Sequence, residues 1–90
     1  MGSGEEERGP ERRRDYMRVV EAILTTALNG ASKTHIVYRA NLNFKICQRY
    51  LKDLESKGLL MCIEDSAKRY TTTEKGSEFL DQYSKIKELL

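Results

Sequence analysis

Ninety residues suffice for one domain, and a domain this small buries only about 60–65% of its unfolded surface, so its core is marginal and pairing with a second copy would help it. Hydrophobic residues make up 39% and charged residues 33%, which suits a soluble helical domain and argues against a membrane protein or a disulfide scaffold; no apolar run approaches the roughly 18 residues of a membrane span. The net charge of +2 does not announce a polyanionic partner, so the placement of the charges has to decide.

Met1 to Gly4 reads as a flexible leader. Glu5 to Arg14 carries four Glu and four Arg around one Gly-Pro pair and has no hydrophobic face. Residues 1–14 are therefore expected to form a disordered charged tail. Its Arg12, Arg13 and Arg14 block either solubilises the chain or touches phosphate. No apolar signal segment is present, so a cytoplasmic location is expected.

Asp15 is expected to open the first helix, with Tyr16, Val19, Val20, Ile23, Leu24, Ala27 and Leu28 on one apolar face. Gly30 suits a left-handed cap at its end. Ser32 or Thr34 can cap a short second helix that turns Ile36, Val37 and Ala40 inward and stops near Asn41. Asn43 is a good cap for a third helix, Phe44 to Lys57, which Gly58 terminates. Residues 59–64 and 69–72 read as two strands joined by the polar turn 65–68. Thr73 caps a last helix that runs to the C-terminus. The order helix, helix, helix, hairpin, helix is the winged helix-turn-helix plan, mainly α with a small β-hairpin.

The third helix has two faces. At about 100° per residue, Phe44, Cys47, Tyr50, Leu51 and Leu54 gather on one side. Lys45, Gln48, Arg49 and Lys52 gather on the other, with Asp53 and Glu55 at its edges. A basic face on the second helix of a helix-turn-helix is suited to the major groove of double-stranded DNA. Arg49 has the geometry to pair with guanine and Gln48 with adenine, whereas Lys45 and Lys52 suit phosphate. Asn43 can approach the backbone from the helix start. Lys33 and Arg39 add charge around the second helix. In the wing, Lys68 and Arg69 suit phosphate or the minor groove, although Glu64 and Asp65 partly cancel them. Cys47 and Cys62 lack metal-site spacing and read as buried free thiols. His35 has no nucleophile or ligand cluster near it in sequence and reads as a helix-surface residue. Of Tyr38 and Tyr50, the latter is expected in the core rather than as a stacking platform.

Tyr50-Leu51-x-x-Leu54-x-x-Lys57-Gly58-Leu59-Leu60, followed by Tyr70-x-x-Thr73-Glu74-Lys75-Gly76, resembles the winged-helix regulators over roughly residues 15–90. Thr72 stands where that pattern often has Leu, which predicts a weaker core contact. The preceding residues 33–42 extend the resemblance, and its nearest aspect is the archaeal branch with its small chromatin-type proteins. The resemblance implies a DNA-binding domain over residues 15–73 and a homodimer paired through an antiparallel coiled coil of residues 74–90. Phe79, Tyr83, Ile86 and Leu90 have the spacing of such a seam, and Leu89 widens the stripe. The expectation is a dimeric transcriptional regulator or nucleoid-associated chromatin factor, with no cofactor or metal, and the sequence gives no small-molecule ligand. A winged-helix module for protein–protein contacts is the alternative. No phosphate loop or catalytic dyad indicates an enzyme.

Overall fold

The computed structural model describes residues 9–90, and side chains from Asp15 onward. The expected leader and the Glu5–Glu7 block lie outside the described residues, as do the side chains of Arg12, Arg13 and Arg14. Six elements follow one another: α1 (Gly9–Thr26), α2 (Lys33–Ala40), α3 (Phe44–Ser56), β1 (Leu60–Glu64), β2 (Lys68–Thr72) and α4 (Glu74–Leu89). This is the predicted order, with the largest boundary shift at the start of α1. α1 begins at Gly9 rather than Asp15, so residues 9–14 are helical instead of part of a disordered tail. Pro10 is tolerated in a first helical turn, and Glu and Arg are good helix formers even in a sequence with no apolar face.

The helix ends follow local capping chemistry. The Ser32 hydroxyl, not Thr34, accepts from the amide of His35 at 3.2 Å and starts α2. Asn41 ends it in the left-handed region at φ 57°, a conformation Asn tolerates better than most residues. The Asn43 side chain accepts from the Ile46 amide at 2.7 Å and starts α3. Beyond α3 the chain reverses through Gly58 at φ 77°.

The two strands pair antiparallel from Leu60 opposite Thr72 to Glu64 opposite Lys68. Ala31 adds a single bridge on the far side of β2, exchanging amide–carbonyl bonds of 2.9 and 2.8 Å with Tyr70. The α1–α2 junction is thus stitched to the hairpin. Val20, Ile23, Leu24 and Ala27 of the α1 segment, Ile36 of α2, Cys47, Leu51 and Leu54 of α3, and Leu60 and Tyr70 of the hairpin form one buried core.

Three expected core residues depart from that plan. Leu28 is exposed because the helix ends at Thr26 and its period lapses there. Phe44 is 52% exposed, since it lies at the edge of the apolar arc in the first turn of α3. Cys62 is only half-buried, being two residues further toward the wing tip than Leu60, and both thiols are free. Thr72 holds the hairpin with its polar atoms. Its hydroxyl donates at 2.6 Å to the Leu24 carbonyl, an acceptor that the end of α1 leaves open, and its amide donates at 3.0 Å to the Ala27 carbonyl, which also accepts from the Gly30 amide.

α4 is joined to the rest at its first turn. The Thr73 hydroxyl accepts from the Gly76 amide at 3.1 Å and donates to the Gly58 carbonyl at 2.6 Å. No helix among the described residues is long and apolar enough to cross a membrane. At Gly76 a Cβ would overlap the Leu59 carbonyl oxygen and lie 2.6 Å from Thr72 Cγ2, so α4 approaches the hairpin at glycine distance. Gly76→Ala is expected to cost about 1–3 kcal/mol through this overlap. A lower denaturant midpoint with an unchanged slope would show it; an unchanged midpoint would mean that α4 does not sit this close.

Candidate nucleic-acid interface

Burial of Cys47, Leu51 and Leu54 turns Lys45, Arg49 and Lys52 outward, and all three are exposed along one line of α3. Of the acidic residues at the edges of this face, Asp53 is engaged with Lys57. Among the described residues the ion pairs are Lys57–Asp53, Lys68–Glu64, Lys85–Asp81 and Lys87–Glu21, and none takes a cation from this line. The outer face of α3 is therefore an uncompensated row of positive charge. Burial pushes the Cys47 thiol above its ordinary pKa and outweighs the opposing pull of Lys33, so the thiol behind this face stays neutral.

The flank toward α2 is more ordered than spacing alone indicated. Lys33 Nζ donates to Gln48 Oε1 and stands 5.8 Å from the centroid of the Phe44 ring. Two expected DNA contacts thus bond to each other, over an aromatic ring that the sequence reading had assigned to the core. Arg39 is exposed in the last turn of α2. Beside it Tyr38 is 80% exposed, a large side chain next to the cationic surface that apolar periodicity did not single out. Asn43 spends its side-chain oxygen on the Ile46 amide, so what it offers a backbone phosphate is its amide nitrogen.

The wing departs further from the simple picture. Lys68 pairs with Glu64 at 3.6 Å, both exposed, so part of its charge is answered within the hairpin. Arg69 lies beside Gly30: its Nη2 would stand 3.1 Å from a Cβ there. Its guanidinium therefore covers the α1–α2 junction rather than extending the wing. Gly30, at φ 88°, fits this position both by its backbone and by leaving room for Arg69.

Behind the C-terminal end of α3 sits a polar brace. The Tyr16 hydroxyl donates to Asp53 Oδ2 at 2.9 Å. Lys57 Nζ donates to Asp53 Oδ2 at 2.9 Å and to the Tyr16 oxygen at 3.1 Å. Tyr16 also stacks on Tyr50 with ring centroids 5.7 Å apart, so Tyr50 packs, as expected, rather than offering a platform. The brace joins α1 to the helix that carries the cations. Its hydrogen bonds, led by that from Lys57, hold the Asp53 carboxyl below its ordinary pKa against a smaller opposing effect of burial.

The apolar stripe of α4 divides in two. Phe79 and Leu80 pack against the core, and Tyr83 stacks on Phe79 at 6.0 Å. Lys87 closes this part by pairing with Glu21 at 2.7 Å and lying 5.1 Å from the Tyr83 ring centroid. Ile86, Leu89 and Leu90 remain outside, the last two 85% and 98% exposed.

The sequence model of the winged helix-turn-helix family matches residues 13–90. Among solved structures the chain is similar to Sso10a-2, a DNA-binding protein from Sulfolobus solfataricus, with 29% identity, 80% of each chain covered and a TM-score of 0.68. It is similar in fold to a MarR family transcriptional regulator from Silicibacter pomeroyi, at 12% identity and a TM-score of 0.67, covering 93% of this chain and 63% of that one. A further likeness in fold is to BpsR of Bordetella bronchiseptica, whose DNA binding is regulated by 6-hydroxynicotinic acid, at 17% identity and a TM-score of 0.66, covering 92% and 80% of the two chains. No curated protein matches the chain significantly.

The brace makes a pH prediction. A carboxyl whose pKa falls on folding stabilises the fold fully above its unfolded value, about 4, and loses that contribution as pH falls through the lowered value. The pair is substantially exposed, so the effect is small. The stability difference between wild type and Asp53→Asn should be constant from about pH 7 to 5 and shrink below about pH 4. Melting curves across that range check it, and a difference that grows with acid would contradict it.

Proposed function

Because the chain belongs to the winged helix-turn-helix family, we propose that it binds double-stranded DNA by placing α3 in the major groove and acts, as a homodimer, in transcriptional regulation or chromatin organisation. The observation that carries this reading is the row Lys45, Arg49 and Lys52, three exposed cations on the second helix of the helix-turn-helix with no ion-pair partner among the described residues. Lys45 and Lys52 supply affinity by displacing counterions from phosphate, while Arg49 between them reaches base edges. Lys33, Arg39 and the amide of Asn43 extend the contact from α2 and the turn. Lys68 adds a weaker one at the wing, and Arg69 contributes from the α1–α2 side. The likeness to a DNA-binding protein at 29% identity supports the same reading. We propose a binding protein rather than an enzyme, acting in the cytoplasm on the nucleoid.

The outer part of α4 supports the dimer reading. A small domain does not leave Ile86, Leu89 and Leu90 in water without cost, and a second α4 laid against them removes that apolar surface. Two copies would then present two α3 helices to half-sites separated by about one helical turn or a multiple of it.

Two measurements test these proposals. In a fluorescence anisotropy titration, wild type is expected to lose affinity steeply with salt. Replacing Lys45, Arg49 and Lys52 by Ala should flatten the log–log slope by about two, since Lys45 and Lys52 count for about one phosphate each. No binding by wild type at about 50 mM salt would overturn the DNA reading and favour the protein-interaction module. By sedimentation, wild type should run as a dimer and the double variant Ile86→Glu, Leu89→Glu as a folded monomer. A double variant that stays dimeric would place the interface elsewhere.

A further inference from the structure

Lys33 at the start of α2 and Gln48 one turn into α3 are fifteen residues apart, yet their side chains join where the two helices meet. Both are half-buried, and the Lys33 ammonium is held from two sides: it donates to Gln48 Oε1 and stands over Phe44, 5.8 Å from the ring centroid. This gives the exposed Phe44 ring a role at the first turn of α3, as the platform that keeps Lys33 beside Gln48.

The junction changes what Gln48 can read. A free glutamine recognises adenine with both ends of its carboxamide, the oxygen accepting from adenine N6 and the nitrogen donating to N7. Here the oxygen already accepts from a cation. A second lone pair remains on that oxygen, but an adenine amine brought to it would stand against the positive charge of Lys33. The carboxamide N–H groups remain, together with the protons of Lys33 not used by Gln48, since an ammonium carries three donors and no acceptor. The groups this pair can turn to a base edge without facing that charge are all donors. Guanine meets such a surface with two acceptors, N7 and O6, whereas adenine and cytosine each present a donor, N6 or N4.

We propose that Lys33 and Gln48 act as one cationic, donor-rich unit that selects guanine over adenine at the base pair read by Gln48. The proposal rests on the DNA-binding reading above and gives that site its specificity. Lys33 is then a specificity-determining residue even though it stands outside the recognition helix.

Selection from a random duplex library tests it, with wild type, Gln48→Ala, and Lys33→Met, which keeps an unbranched stem but removes the charge. The position at which Gln48→Ala loses its preference is the one Gln48 reads. Wild type is expected to enrich guanine there. Lys33→Met should free the carboxamide oxygen and shift that position toward adenine, changing the guanine-to-adenine preference about tenfold in competition anisotropy. Adenine enriched by wild type at that position would overturn the proposal, as would a base preference unmoved in Lys33→Met. Salt-dependent binding without any enriched base would overturn it while leaving the DNA-binding reading intact. Absence of binding at about 50 mM salt would remove both.

Discussion

Cys47, Leu51 and Leu54 are fully removed from solvent, and they supply three of the seven largest fully buried side chains among the described residues. The setting of α3 about its own axis depends on them. A shift of one residue would turn the helix by about 100°, drawing charged residues toward the core and pushing leucines into water. Either change is costly in a domain whose core is small. The outward line of Lys45, Arg49 and Lys52 is therefore the obligatory reverse side of an apolar face, fixed by packing rather than by any attraction among the cations. No counter-charge is needed to hold them there, which leaves their field free for a polyanion.

Rotation alone does not place a helix; its ends must be held as well. At the start the Asn43 cap fixes the first turn, and Lys33 reaches across from α2 to Gln48. At the far end Tyr16, Lys57 and Asp53 join α3 to α1, while the Thr73 hydroxyl and the Lys75 ammonium donate to the Gly58 and Lys57 carbonyls. Those carbonyls lie just past the last turn of α3, and the residues that satisfy them belong to the segment leading into α4. The same contacts therefore hold the end of α3 and the direction of α4. Under the dimer reading, the recognition surface and the pairing surface are set by one connected group of hydrogen bonds.

Much of this was legible in the sequence because it rests on local chemistry. Ser32, Asn43, Thr73, Gly30 and Gly58 mark element ends through side-chain oxygens or backbone freedom, and the apolar spacing of α1 and α3 identifies their faces. The departures fall where local rules lapse. Leu28 lies past the end of α1, Phe44 at the rim of its arc and Cys62 toward the wing tip, so position in the fold rather than residue type decides their exposure. The extra helical residues 9–14 were missed because their sequence carries no apolar periodicity. For the site, the outward cations were readable, but their partners were not. Lys33 with Gln48, Arg69 with Gly30 and Lys57 with Tyr16 are each joined through the tertiary fold, and no spacing rule links residues 15, 39 or 41 positions apart.

These joined side chains bear on the choice between a sequence-reading and an architectural protein. A surface that only gathers phosphate does best with lysines free to follow the backbone, because salt-dependent affinity asks for charge and not for a fixed direction. A surface that discriminates bases gains from side chains already held in place, since ordering them on binding opposes association. Lys45 and Lys52 fit the first description, whereas Lys33 and Gln48, half-buried and bonded over Phe44, fit the second. Under the DNA-binding reading the interface has two parts, an exposed electrostatic row and a fixed polar corner beside it. The corner distinguishes this face from an ordinary solvated basic helix, and base selectivity is the property proposed for it.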